Sequence, residues 1–126
     1  MNAILLDLLK DVALAADGAP AEALAGLPKD LAALLAERDG GQGTVGARAR
    51  PLTLWSAAQI RSEAQAQEVS LAVPGLLLFG TDGGAEGYGY LPRLKSGRYG
   101  RISLLAAGAH EFEPLADSLA DLLRQL

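Results

Sequence analysis

The sequence has 126 residues with no cysteine and only one histidine, which excludes several kinds of site. Without cysteine there is neither a disulfide framework nor a thiolate-bound metal, and this absence fits a reducing compartment. Long apolar runs are missing too, since none approaches the roughly 18 residues of a membrane span. No basic region precedes the first apolar run, so no secretory signal is predicted. We therefore expect a soluble, cytoplasmic protein.

Positive charge is scarce, because 11 lysines and arginines face 15 aspartates and glutamates, giving a formal net charge of -4. Binding to phosphate groups needs a clustered positive surface, so this balance argues against nucleic acid and favours a basic partner. A nucleic-acid site, the alternative, would have to lie in one basic stretch, which contains Arg93, Lys95, Arg98, Tyr99 and Arg101. We interpret that stretch as a solvated hairpin loop whose charges protect a sheet edge.

Residue sets with catalytic or metal-binding spacing are missing as well, including a P-loop lysine and a nucleophile elbow. His110 lies beside Glu111 and Glu113, but adjacent residues on an extended loop rarely converge on one ion. The glycine-rich run at Asp82 joins two predicted strands, opens no helix and has no following lysine. We interpret Asp82 as a residue that caps its own turn. The sequence predicts no enzyme activity, no cofactor and no metal.

Helices are predicted at both ends of the chain and between them. The first begins after Asn2 and runs to about Ala16, with Ile4, Leu8, Val12 and Ala15 on one apolar stripe and Leu5 and Leu9 beside it. A short helical turn over 20–25 precedes a helix that has Pro28 in its first turn and stops at Gly40. Residues 41–50 are interpreted as a mobile loop or weak edge strand. The last helix has Ser118 as its cap, with Pro114 as an alternative start.

A capping box is predicted where the first clear strand passes into a helix over residues 57–68. Ser56 and Gln59 have the required spacing, and Trp55 and Ile60 stand where a hydrophobic staple would place them. We therefore interpret Trp55 as a structural hinge and not as a platform for a ligand.

Strands are predicted near residues 52–55, 76–80, 86–91 and 101–106. The second and third are joined by Asp82-Gly83-Gly84, residues that tolerate positive φ. Hairpin spacing leaves no room for crossover helices between the last three strands, so we expect them to be antiparallel. The predicted core contains Leu77, Phe79, Ile102, Leu104, Leu119 and Leu122. The sequence thus predicts one α+β domain over 1–126, with a mostly antiparallel sheet flanked by N-terminal and C-terminal helices.

Four blocks of the sequence carry a family resemblance. In order, they are LPKDLAALLAERDGG, PLTLWSAAQI, PGLLLFGTDGGAEGYGY and PLADSLADLLRQL, and they lie within residues 27–126. Their content and order resemble the SUKH superfamily, whose bacterial members are mostly immunity proteins of polymorphic toxin systems. The resemblance implies a SUKH-like fold.

The chain departs from the common family pattern at several positions. Asp39-Gly40 stands where members often have Asn-Gly, Ala85 replaces a third glycine, and Leu119 and Leu122 occupy places often held by phenylalanine. None of these changes removes a turn residue or an apolar core position, so the fold that the resemblance implies is unaffected.

The resemblance implies a binding module that neutralises a cognate toxin domain by covering its active site or by holding it inactive. We expect that partner to be basic, as a nuclease is. The alternative is an intracellular adaptor or regulator of the same fold without a toxin partner. The candidate contact residues are Asp82, Glu86, Tyr88 and Tyr90, with Glu111 and Glu113 in reserve. Alternatively, both tyrosines close the core with their hydroxyls at its rim.

Overall fold

Seven strands form one antiparallel sheet, and their order across the sheet follows their order in the sequence. The architecture is that of a computed structural model, which describes residues 3–105 and 112–126. Within these ranges, five α-helices and one short 3-10 helix complete an α+β fold. The elements are α1 (Ala3–Leu8), β1 (Val12–Leu14), the 3-10 helix (Ala21–Leu24), α2 (Lys29–Glu37), β2 (Gly41–Val45), β3 (Arg50–Leu54), α3 (Ala57–Ser62), α4 (Ala64–Ala72), β4 (Leu77–Thr81), β5 (Glu86–Tyr90), β6 (Tyr99–Ser103), β7 (Glu113–Ala116) and α5 (Leu119–Arg124).

The four predicted strands correspond to β3, β4, β5 and β6, with ends displaced by a few residues at most. Leu77 pairs with Tyr90 and Tyr90 with Tyr99, each in antiparallel register, which confirms the predicted hairpins. The pattern of apolar residues in these strands and the glycine-rich turns between them depend only on residues close in the sequence, so both can be recognised from the sequence alone.

The N-terminal helix is shorter than predicted, because it ends at Leu8 and the chain then forms β1. Of the predicted apolar residues, Ile4 on the stripe is 60% exposed, whereas Leu5 and Leu9 beside it are buried. Pairing with β2 explains the change, since Ala15 N–H donates to the carbonyl of Gly40 directly after β1. Helix propensity is a weak preference that such sheet hydrogen bonds override.

Residues 41–45 of the predicted loop or weak edge strand form β2, which lies inside the sheet between β1 and β3, and only residues 46–49 form a turn. The glycines of β2 allow a close approach of the neighbouring strand. A Cβ atom added at Gly41 would lie 2.5 Å from the carbonyl oxygen of Ala13, and one at Gly43 would lie 2.4 Å from that of Asp11. Glycines that favour a loop by composition are therefore packing sites.

Residues near Pro114 form β7 and not a loop or the start of a helix. Proline is compatible with this position because β7 is the edge of the sheet, where an N–H group is not needed for pairing. The last helix begins after Ser118, whose Oγ accepts from the N–H of Asp121 at 3.1 Å, so the predicted cap is confirmed.

The predicted capping box at Ser56 is present. Ser56 Oγ accepts from Gln59 N–H at 3.2 Å, and Gln59 Oε1 accepts from Ser56 N–H at 2.9 Å. The helix it opens is interrupted at Glu63, which separates α3 from α4. Pro28 occupies the N-cap of α2 instead of its first turn. Trp55 is buried, which agrees with a structural role.

The main core lies on one face of the sheet, under α1, α2 and α5. The side chains there surround a small apolar cavity, lined by Leu9, Leu34, Leu52, Leu54, Phe79, Tyr88, Leu119, Leu122, Leu123 and Leu126. Tyr88 contributes to this face from β5, next to the central strand β4. The face is therefore closed to solvent over β3 to β5.

Four of the predicted core residues are buried, namely Phe79, Ile102, Leu119 and Leu122. Leu77 and Leu104 are only half-buried, which corrects the prediction. Leu78 and Phe79 are both buried although they point to opposite faces of β4, because both faces are covered: Leu78 faces Gly87, whereas Phe79 packs against Tyr99. Leu104 lies just beyond the end of β6, where the sheet no longer covers it fully.

Candidate functional site

The turn between β4 and β5 is held by side chains of its own residues. Asp82 Oδ1 accepts from the N–H groups of Gly84 at 2.8 Å and Glu86 at 3.1 Å. Thr81 Oγ1 accepts from Gly83 N–H at 3.1 Å and donates to the carbonyl of Glu86 at 3.0 Å. The interpretation of Asp82 as a cap of its own turn is thereby confirmed, and the turn presents its carboxylate in one fixed position.

Three of the predicted contact residues form an acidic rim, by which we mean Asp82, Glu86 and Glu113. Glu86 opens β5 and is half-exposed, while Glu113 is exposed on the edge strand β7. The strand between them carries Arg101, which pairs in register with Glu113 and contacts its Oε1 through Nε at 2.7 Å. This hydrogen bond raises the pKa of Arg101, and the charge of Glu86 acts in the same direction.

Tyr88 is not an exposed contact residue, because its side chain is only 2% exposed. The structure agrees with the alternative in which this tyrosine closes the core. Burial raises the pKa of the Tyr88 phenol, and the nearby Asp82 carboxylate adds to the shift. Helices packed on this face of the sheet bury Tyr88. No local sequence pattern indicates this packing.

Tyr90 lies in a different place, a cleft of about 470 Å³ that we call the Tyr90 cleft. The cleft is lined by Pro28, Lys29, Asp30, Ala33, Tyr90, Arg98, Tyr99 and Asp117. Tyr90 is half-buried there, and its ring centre lies 4.9 Å from that of Tyr99. Because a strand rises about 3.3 Å per residue, Tyr90 is about 13 Å from Glu86 along β5. The predicted site residues therefore belong to two separate surfaces.

Asp30, which was not among the predicted site residues, lines the Tyr90 cleft and accepts hydrogen bonds from its own helix α2, from β6 and from α5. Its Oδ1 accepts from Leu31 N–H at 3.0 Å and from the hydroxyl of Tyr99, and its Oδ2 accepts from Leu119 N–H at 2.8 Å. Burial and the hydrogen bond to Asp30 raise the pKa of Tyr99 well above its ordinary value. The sequence shows that Asp30 is an acidic residue in the first turn of a helix. It does not show which distant residues form hydrogen bonds to it.

The basic stretch forms the exposed hairpin loop between β5 and β6, as interpreted, and continues into β6 at Tyr99 and Arg101. Both strands lie inside the sheet, so the loop does not flank an edge strand as the interpretation required. Arg93 donates through Nη1 to the carbonyl of Pro74 at 2.6 Å, and Arg98 donates through Nε to that of Leu94 at 2.5 Å. These contacts hold the loop in place. Tyr99, the aromatic residue of the stretch, is buried and offers no stacking surface.

His110 and Glu111 lie outside the described residues. Within 3–105 and 112–126, no group of three or more histidine or acidic side chains could hold a metal ion. No helix in the same ranges has both the length and the apolar character needed to cross a membrane. Comparison of the chain with protein-family models and with curated protein sequences gives no match. The predicted contact residues that the structure describes therefore lie at the acidic rim, in the core at Tyr88 and in the Tyr90 cleft.

Proposed function

We propose that the protein acts in the bacterial cytoplasm as an immunity protein, which binds a cognate toxin domain and neutralises it by non-catalytic association. The four SUKH-like blocks support the proposal, because each coincides with a structural unit. The first covers α2, the second spans β3 and the start of α3, the third forms the β4–β5 hairpin, and the last forms β7 and α5. Blocks that fall on successive elements of one fold are expected of a family pattern.

The acidic rim is the observation that favours a basic partner. The carboxylate of Asp82 is held by the β4–β5 turn and that of Glu113 by Arg101, so these two side chains lose little conformational freedom when a partner binds. Among the described residues, no salt bridge engages Asp82 or Glu86, and Arg101, which bonds to Glu113 and also feels the charge of Glu86, is one cation against the three carboxylates of the rim. The rim therefore keeps uncompensated negative charge at the surface.

Such a rim acts mainly on the rate of encounter. Opposite charges steer a basic toxin domain, a nuclease for example, toward the rim and orient it before close contact forms. Screening by salt should then slow association more than it speeds dissociation. Once docked, the protein covers the active site of the toxin or holds it in an inactive state.

The first test is co-expression with the toxin domain encoded beside the gene, scored by cell survival, followed by binding kinetics at two salt concentrations. Glu86→Lys should lower the association rate constant about tenfold at low salt, since electrostatic steering changes rates by this order. The matched control is Glu68→Lys, which makes the same charge change at an exposed site on α4, away from the rim. The control should keep most of the wild-type rate.

Tyr90 supplies a second measurement, because it is the one candidate tyrosine with an accessible side chain. If the contact extends to the Tyr90 cleft, Tyr90→Ala should weaken binding by about 2 kcal/mol, the usual threshold of an interface hot spot. Calorimetric titration measures the loss, and thermal unfolding confirms that the variant is folded.

Failure to protect cells, together with no measurable binding to the neighbouring toxin, would overturn the proposal. The alternative would then be favoured, namely an intracellular adaptor or regulator of the same fold. A genome in which no toxin gene lies next to this one would point the same way and is quickly checked.

A further inference from the structure

The Tyr90 cleft differs from the acidic rim in the hydrogen-bonding capacity that it leaves unused. Two carboxylates and two cationic side chains line it, so its formal charge is balanced. The two carboxylates differ in how far they are occupied. Asp30 accepts from three donors, and Asp117 Oδ1 accepts from Gly97 N–H at 2.6 Å. The acceptor capacity that remains is therefore mainly that of Asp117, which is exposed.

The cationic side chains of the cleft, by contrast, keep most of their hydrogen-bond donors unused. In the part of the chain that the structure describes, no salt bridge engages Lys29 or Arg98. Arg98 uses Nε for the carbonyl of Leu94 and retains the N–H groups of both Nη atoms. Lys29 is exposed and keeps its ammonium donors, and no hydrogen bond within the described residues uses the Tyr90 hydroxyl. The remaining capacity of the cleft is therefore dominated by donors.

We propose that the Tyr90 cleft binds a carboxylate group, presented either by an acidic side chain or by the C-terminus of a partner peptide. The Arg98 guanidinium offers a planar pair of donors suited to a carboxylate, and Lys29 contributes a point charge. The ring of Tyr90 supports the aliphatic part of the ligand. A singly charged carboxylate suits the cleft better than a doubly charged phosphate, since Asp30 and Asp117 remain nearby as anions.

This site is independent of the acidic rim and takes a ligand of the opposite charge. The two surfaces are about 13 Å apart along β5, which allows one partner to engage both or two partners to bind separately. A loss of carboxylate binding would leave steering by the rim intact, so the two proposals fail separately.

The test is a titration of the whole chain with sodium acetate, followed through backbone amide chemical shifts at constant ionic strength held by sodium chloride. We expect saturable shifts at Lys29, Ala33, Tyr90 and Arg98, with little response elsewhere. Lys29→Gln and Arg98→Gln should each weaken acetate binding about threefold to fivefold, the loss expected for an exposed ion pair. Lys95→Gln, in the same loop and outside the cleft, is the matched control and should bind as the wild type does.

Three peptides then distinguish the two sources of the carboxylate: one with a free C-terminus, its C-terminal amide, and the amide with an internal glutamate. Binding of the first alone assigns the cleft to a chain terminus, and binding of the third assigns it to an acidic side chain. Shifts that rise linearly with acetate, or an equal loss in the Lys95 variant, would overturn the proposal. So would saturable binding of methylammonium at the same amides. Should Arg98→Gln disturb the loop, the exposed Lys29→Gln decides alone.

Discussion

At the scale of single residues, Asp30 joins parts of the chain that are far apart in the sequence. Its carboxylate accepts from the Tyr99 hydroxyl on β6 and from the N–H of Leu119 at the start of α5. Tyr99 is buried, so its hydroxyl has no water to replace a lost acceptor. A buried donor without a partner costs more than an average hydrogen bond contributes.

Replacing Asp30 with alanine should therefore lower the free energy of unfolding by about 2–6 kcal/mol, since two of its three donors, the Tyr99 hydroxyl and Leu119 N–H, lose their acceptor at about 1–3 kcal/mol each. Urea denaturation at neutral pH measures the change. Glu68→Ala, an exposed carboxylate on α4, serves as the control and should stay within about 0.5 kcal/mol of the wild type. Equal effects of the two variants would show that the Asp30 contacts contribute nothing.

At the scale of elements, the pairing of the edge strand β7 with β6 requires a glycine at one position of β6. A Cβ atom added at Gly100 would lie 2.0 Å from the carbonyl oxygen of Glu113 and 2.8 Å from Phe112 Cζ. The backbone of β7 thus passes closer to β6 than any other residue at this position would allow. Glu113 of the acidic rim is placed by the same contact.

Gly100→Ala should push β7 away from β6 and cost about 1–3 kcal/mol or more, the range for overpacking a filled site. The Arg101–Glu113 ion pair should loosen at the same time, which amide hydrogen exchange in β7 would detect. Gly84→Ala is the matched control, because a Cβ there meets only Asp82 Oδ1 at 3.6 Å. A Gly100 variant as stable as the Gly84 variant would contradict the close packing.

At the scale of the whole molecule, two buried phenols link stability to alkaline pH. The pKa values of Tyr88 and Tyr99 are raised in the folded state, with burial as the leading cause in each case. In the unfolded chain a tyrosine ionises near pH 10. The proton therefore leaves the unfolded state first, and the stability contributed by a neutral phenol is fully present below pH 10 and is lost as pH rises further.

The free energy of unfolding should fall above about pH 10, by roughly 1.4 kcal/mol per pH unit for each such phenol. Urea denaturation at pH 9, 10 and 11 measures this slope. Tyr99→Phe should be less stable at neutral pH yet show a shallower decline above pH 10, which separates this phenol from the lysines that titrate in the same range. An unchanged slope in the variant would contradict the assignment.

The sequence by itself determined the central hairpins, the capping box at Ser56 and the cap at Ser118, because each depends on residues a few positions apart. It also identified Asp82 as a turn cap and Trp55 as a structural residue. Such signals need no knowledge of the rest of the chain. They account for β3 to β6 and for one part of the candidate site, the β4–β5 turn.

The tertiary structure alone decided what happens at the margins of the sheet and in the candidate site. β1 and β7 are strands because each pairs with a neighbouring strand, although the local sequence favours a helix or a loop. Tyr88 is buried and Tyr90 is not, although both occupy one face of β5, because helices cover only part of that face. The partners of Asp30 come from positions 99 and 119. Contacts between distant residues form cooperatively on folding, so no window of local sequence contains them.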